Sequence, residues 1–140
     1  MTHLDPGVRL RLSKGNDITS LNYADAAERA IKSLLDQGGS FGRGRNQLTT
    51  TSLRGIYGLI MNVYTDIESA KDFEKHRPDL QYLKVRMAYE AGRKEPVKRF
   101  LEKTGLKDAI DSVKSYEQFL LYCRYAESLV AYFKFYGGKE

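Results

Sequence analysis

Apolar residues recur at helical spacing over most of the chain. Between Tyr23 and Gln37, the residues Ala27, Ala30, Ile31, Leu34 and Leu35 share one side of the helical wheel. Asn22 stands where an N-cap belongs, and Gly38-Gly39 ends the segment. Leu53, Ile56, Leu59, Ile60, Val63, Tyr64 and Ile67 define the inner face of a second helix expected from Ser52 to Phe73, with Thr49-Thr50-Thr51 ahead of it as caps. Arg54, Gly58, Asn62, Thr65 and Ser69 fall on its opposite face. Pro78 suits the first turn of a third helix running to Gly92, because the missing N–H has no intrahelical partner there. Pro96 opens a fourth helix closed by Gly105, and a brief helix is expected near Leu106–Val113. The last helix enters through the capping box Ser115-Tyr116-Glu117-Gln118 and stops at Gly137-Gly138.

Helical periodicity is absent ahead of Tyr23. Val8 to Leu12 alternates as a short strand would, but residues 1–20 are read as a flexible or partner-bound arm. The expected fold is therefore all-α: a compact helical bundle of about five to six helices, with residues 21–140 as one domain behind the N-terminal arm. The last helix has an apolar arc of roughly 200°, against about 100° for an ordinary surface helix. Two compatible readings follow. It is a central helix ringed by the others, or part of the arc is covered by a second protein chain, with Tyr125, Tyr132 and Tyr136 as interface candidates.

Composition narrows the function classes. The chain has 140 residues, 23 Lys and Arg against 18 Asp and Glu, a net charge of +5, one cysteine and two histidines. A lone Cys123 excludes a disulfide framework within the chain and fits a reducing, cytoplasmic setting. The longest apolar stretch, near Ile56–Met61, is interrupted by Gly58 and falls far short of a membrane span, and residues 1–20 lack the apolar core of a secretory leader. His3 and His76 show no metal-ligand spacing, so a zinc site is not expected. Cys123 lies inside the apolar arc, no arginine precedes His76 at the spacing of helical ribonucleases, and pairs such as Asp66 with Glu68 sit on a solvated face. The chain reads as a non-enzyme, with a helical nuclease as the weakest alternative.

The positive charge is unevenly placed. Between residues 38 and 58, Arg43, Arg45 and Arg54 stand with no acid among them. Between 81 and 105, Lys84, Arg86, Arg93, Lys94, Lys98, Arg99 and Lys103 outnumber Glu90, Glu95 and Glu102. The first region begins as the glycine-rich run GGSFGRGRNQ, read as a mobile basic loop leading into a helix N-terminus whose free N–H groups favour a phosphate. It has no phosphate-loop spacing. In the second region Tyr82, Arg86, Tyr89 and Arg93 share one helix face, an arrangement that stacks on bases and neutralises phosphates. The same pattern also finishes many cores, with an arginine laid across a tyrosine.

The segments L-T-T-T-S-L-R at Leu48–Arg54, Q-Y-L-K-V-R at Gln81–Arg86, Y-E-A-G-R at Tyr89–Arg93 and the ending F-L-L-Y-C-R-Y-A-E-S-L-V-A-Y-F-K-F-Y-G-G occur in an order and spacing that resembles the small subunit of type III-A CRISPR (Csm) effector complexes. The likeness covers residues 20–140. It implies a non-catalytic helical subunit of an antiviral ribonucleoprotein that helps line the channel for the guide–target RNA duplex. It also implies contact mainly with the target strand, and partners among the backbone subunits, the large subunit and neighbouring copies of itself, while the wide apolar arc of the last helix offers a homodimer of the free chain. Cleavage chemistry would belong to the neighbours, so the likeness implies no metal, nucleotide or other cofactor on this chain. Carried over by position, the RNA-contacting residues are Arg54, Lys84, Arg86 and Arg93. Lys94 extends the second basic region, Arg43 and Arg45 come from the loop alone, and Arg124 is read either as RNA-facing or as a subunit contact. The competing reading is a protein-interaction module whose basic face meets acidic surfaces without touching RNA.

Overall fold

The structure, a computed structural model, describes residues 4–12 and 17–140. Five helices carry the chain: α1 (Tyr23–Lys32), α2 (Thr50–Tyr64), α3 (Ala70–Arg93), α4 (Glu95–Thr104) and α5 (Tyr116–Phe135). Short 3-10 turns lie at Gly44–Asn46 and Asp108–Ser112. The all-α expectation holds. Among the described residues the one sheet is a two-residue antiparallel ladder, β1 (Arg9–Leu10) with β2 (Ile18–Thr19), in which Leu10 faces Ile18. Both side chains of that pair are buried. The ladder is fastened to the bundle by Gln118 Nε2, which donates to the Arg9 carbonyl at 3.0 Å, and by Arg11 N–H, which donates to Ser112 Oγ at 3.2 Å. Residues 1–3 and 13–16 of the expected arm lie outside the described residues.

Helix α5 is the axis of the bundle. Helices α1 and α2 pack along it, α3 packs on α2 and α4, and α4 returns to α1. Its wide apolar arc is filled from within the chain over Phe119 to Phe133. Two phenols enter this core because each finds an acceptor. The Tyr122 hydroxyl donates to the Leu106 carbonyl and the Tyr125 hydroxyl to the Thr104 carbonyl, both at 2.6 Å.

Three boundaries differ from the periodicity reading. Helix α1 ends at Lys32, and the chain continues through tight turns in which Leu34 N–H bonds Ile31 and Leu35 N–H bonds Lys32. The expected second helix stops at Tyr64, because the chain turns to bury Ile67 and then restarts at Ser69. Ser69 Oγ accepts from Asp72 N–H at 3.2 Å and Asp72 Oδ2 accepts from Glu68 N–H at 3.2 Å, a local cap that outweighs Pro78 as a start signal. Pro78 therefore sits inside α3. Both Pro78 and Glu74 are exposed, so the carbonyl that loses its partner remains open to water.

Candidate nucleic-acid interface

The glycine-rich segment is tied down at its centre. Phe41 is buried with its ring 4.5 Å from that of Phe133, Leu48 N–H donates to the Phe41 carbonyl at 2.9 Å, and Ser40 Oγ donates to the Gly42 carbonyl at 2.9 Å. Gly42 adopts φ 96°, and a Cβ there would overlap the Asn46 carbonyl, so only glycine closes the turn. The expectation of a mobile loop is corrected by this anchoring. Arg43 and Arg45 stand exposed on a segment held from below.

The loop delivers the chain to the N-terminus of α2. Thr49 Oγ1 accepts from Ser52 N–H at 3.1 Å, while Thr50 N–H donates to the Lys139 carbonyl at 2.8 Å. Arg54 is exposed one turn further on. Lys94, at the junction of α3 and α4, reaches the same point and donates from Nζ to Ser52 Oγ at 3.3 Å. A small hollow lined by Phe41, Asn46, Leu48, Pro96 and Arg99 sets the first turns of α4 against the loop. Part of the second basic region thus joins the first: Lys94 touches the start of α2 and Arg99 lines the hollow beside the loop, near Arg43, Arg45, Arg54 and the tail at Lys139. Arg99 and Lys139 were outside the set chosen from sequence. The tail-to-helix hydrogen bond links residues far apart in the chain and leaves no local signal.

The outer face of α3 is a second, separate surface. Tyr82 and Tyr89 are exposed, with the Arg86 guanidinium 6.0 Å from the Tyr82 ring centre and the Arg93 guanidinium 5.7 Å from that of Tyr89. Arg93 also meets Glu90 at 3.3 Å. Lys84 lies to the side of this stripe, where its ammonium pairs with Asp111 at 2.5 Å. That pair makes Lys84 less available to a ligand than Arg86 or Arg93.

The three tyrosines chosen as interface candidates separate by depth. Tyr125 is 1% exposed and satisfied within the core, so it is not available to another chain. Tyr132 is half-buried and meets the exposed Phe135 edge-on at 6.3 Å. The Tyr136 hydroxyl donates to Glu28 Oε2 at 2.5 Å, which raises its pKa, and Lys32 Nζ lies 5.8 Å from its ring centre. Arg124 is half-buried in a groove of about 530 Å³ between α2 and α5, beside Tyr57, Tyr64, Cys123 and Glu127.

Burial, with a further push from the Glu127 carboxylate, raises the Cys123 thiol far above the ordinary cysteine range. Iodoacetamide at about pH 8 is therefore expected to label the folded chain orders of magnitude more slowly than the guanidinium-unfolded chain. Equal rates in mass-spectrometric time courses would contradict this placement. Among the described residues, no three His, Cys, Asp or Glu side chains gather as a metal site would require. Nor is any helix there long and apolar enough to cross a membrane.

Comparison with known proteins gives a consistent result. Residues 28–139 match the family described as Csm2 Type III-A. The chain is 42% identical over 123 residues to the CRISPR system Cms protein Csm2 of Streptococcus thermophilus, covering 88% of this chain and 98% of that protein. It is 38% identical to the protein of the same name from Enterococcus italicus, covering 92% and 97% of the two chains. The similarity to the Mycobacterium tuberculosis protein of that name is 33% over 98 residues.

Proposed function

The chain belongs to the Csm2 type III-A family, and from that premise we propose that it is the non-catalytic small subunit of a type III-A CRISPR effector ribonucleoprotein. In that role it helps line the channel holding the guide–target RNA duplex and contacts the backbone of the target strand. The observation that carries this reading is the contact of Lys94 Nζ with Ser52 Oγ, which brings the end of the second basic region to the helix N-terminus where the first one leads. Arg43, Arg45, Arg54 and Lys94 form one phosphate-binding surface, and Arg86 and Arg93 on α3 form another. Lys84 contributes less because Asp111 occupies its ammonium. Phosphate contacts of this kind do not depend on base identity, which suits a subunit whose target sequence is dictated by a guide. Its protein partners are the backbone and large subunits and neighbouring copies of itself, for which Tyr132, Tyr136 and Phe135 offer aromatic surface, and its setting is the cytoplasm.

Both arginines of the α3 face are exposed, so alanine there leaves the helix intact. Effector complex reconstituted with Arg86→Ala and Arg93→Ala should assemble normally and bind target RNA about tenfold more weakly. The slope of log affinity against log salt should fall by about 1.5 to 2, from two lost phosphate contacts. An unchanged affinity and slope would remove RNA from the α3 face. A second reading, a protein-interaction module meeting acidic partner surfaces, is favoured by one feature of that face, the 59% exposure of Val85 between Tyr82 and Tyr89. Under that reading the double variant loses assembly and keeps its RNA slope.

A further inference from the structure

Tyr82 and Tyr89 are each 61% exposed, and Val85 between them is 59% exposed. Phosphate binding explains the arginines of this face and leaves its rings unexplained. Each ring carries a guanidinium on one side, Arg86 for Tyr82 and Arg93 for Tyr89, at nearly the same distance of 6.0 and 5.7 Å. The two Tyr–Arg units repeat after seven residues, about 10.5 Å of helix, and point the same way because seven residues are nearly two full turns. A ring with a cation over one face and the other face open is a stacking surface next to a phosphate-binding charge.

A duplex presents phosphates but hides its base faces, each base being covered by its neighbours, whereas an unpaired strand presents both. The spacing of about 10.5 Å is roughly three times the 3.4 Å rise per nucleotide of a stacked strand. The two rings therefore meet non-adjacent bases, or neighbouring bases of a strand pulled out of its stack. We propose that the outer face of α3 is a stacking platform for unpaired nucleotides of single-stranded RNA. Tyr82 and Tyr89 each take a base on the side opposite its arginine, Arg86 and Arg93 hold the flanking phosphates, and Val85 is the apolar floor between the two bases. This rests on the RNA-contact reading above and specifies the form of RNA that this face takes.

The test uses the full chain and labelled RNA of two kinds, a single-stranded oligoadenylate and an RNA duplex of the same length. Three proteins are compared by fluorescence anisotropy: wild type, Tyr82→Leu with Tyr89→Leu, and Tyr82→Phe with Tyr89→Phe. Both changed residues are exposed, and circular dichroism is the check that each variant is folded. The leucine pair should bind the single strand at least tenfold more weakly, with its salt slope and its duplex affinity unchanged, while the phenylalanine pair stays within about twofold of wild type. A leucine pair that binds the single strand as wild type does overturns the platform, as does one that loses duplex affinity equally. If wild type binds both RNAs with a steep salt slope and the leucine pair matches it, RNA contact stands and the platform alone is lost. If wild type binds neither RNA, both readings fall.

Discussion

Phe133→Ala is expected to destabilise the chain by about 3–5 kcal/mol, the range for truncating a fully packed phenylalanine. Phe133 is 1% exposed and its ring lies 4.5 Å from Phe41. Gly138 closes over it so tightly that any Cβ there would overlap the ring, and Gly138 N–H donates to the Phe133 carbonyl at 2.9 Å. The cavity cannot collapse easily, since its walls are an anchored loop on one side and a tail on the other. A chain of this size should lose roughly 10 °C or more in Tm. Phe133→Leu retains most of the volume and should cost much less. Thermal melts and urea titrations followed by circular dichroism read both values, and a loss under about 1 kcal/mol for alanine would contradict the packing described. The same ring holds the basic surface together, through Phe41 to the arginine loop and through Gly138 to Lys139 at the start of α2. Hydrogen exchange should therefore quicken at Leu48 N–H and Thr50 N–H in a variant that is still folded.

The largest functional effect is expected from removing the joined surface as a unit. Changing Arg43, Arg45, Arg54 and Lys94 together to glutamine should lower RNA affinity by about a hundredfold at moderate salt. The salt slope should fall by about 3, the sum of four phosphate contacts at roughly 0.7–0.9 each. All four residues are exposed, and of their side chains that of Lys94 donates a 3.3 Å hydrogen bond to Ser52 Oγ. Stability should accordingly change by about 0.5 kcal/mol or less. Phe133→Ala and this quadruple variant separate the two causes of weak binding. The first loses stability and shifts affinity only through disorder, and the second keeps its Tm and loses charge. A quadruple variant with wild-type slope would place the RNA elsewhere.

Much of this was legible from periodicity because periodicity is local. The wheel placed Arg54, Arg86 and Arg93 off the core stripes, and all three are exposed. On the same wheel Leu80, Leu83, Met87 and Ala91 form the inner stripe of α3, and the first three are buried while Ala91 is half-buried. The break between α2 and α3 was misplaced because Pro78 is a louder signal than a serine followed three residues later by an aspartate. Yet Ser69 and Asp72 supply hydrogen bonds that a proline in the middle of a helix does not. Tyr125 illustrates a second limit. A wide apolar arc shows that a helix is covered on most sides without saying which side its own chain covers, and Tyr125 proved to lie inside while Tyr132 lies nearer the edge. The meeting of Lys94 and Arg99 with the first basic region was invisible for a third reason. It depends on Lys94 meeting Ser52 and on Lys139 meeting Thr50, contacts made only once the bundle has closed.

On the proposed reading, the surface assembled from the loop, the start of α2 and the α3–α4 junction meets target RNA inside the effector complex. Photocrosslinking of the complete complex to a target strand carrying 4-thiouridine along its length, with adducts located by mass spectrometry, tests it most directly. Adducts are expected on this chain in peptides spanning residues 41–54 and 82–99. Efficient crosslinks to the neighbouring subunits with none on this chain would contradict it.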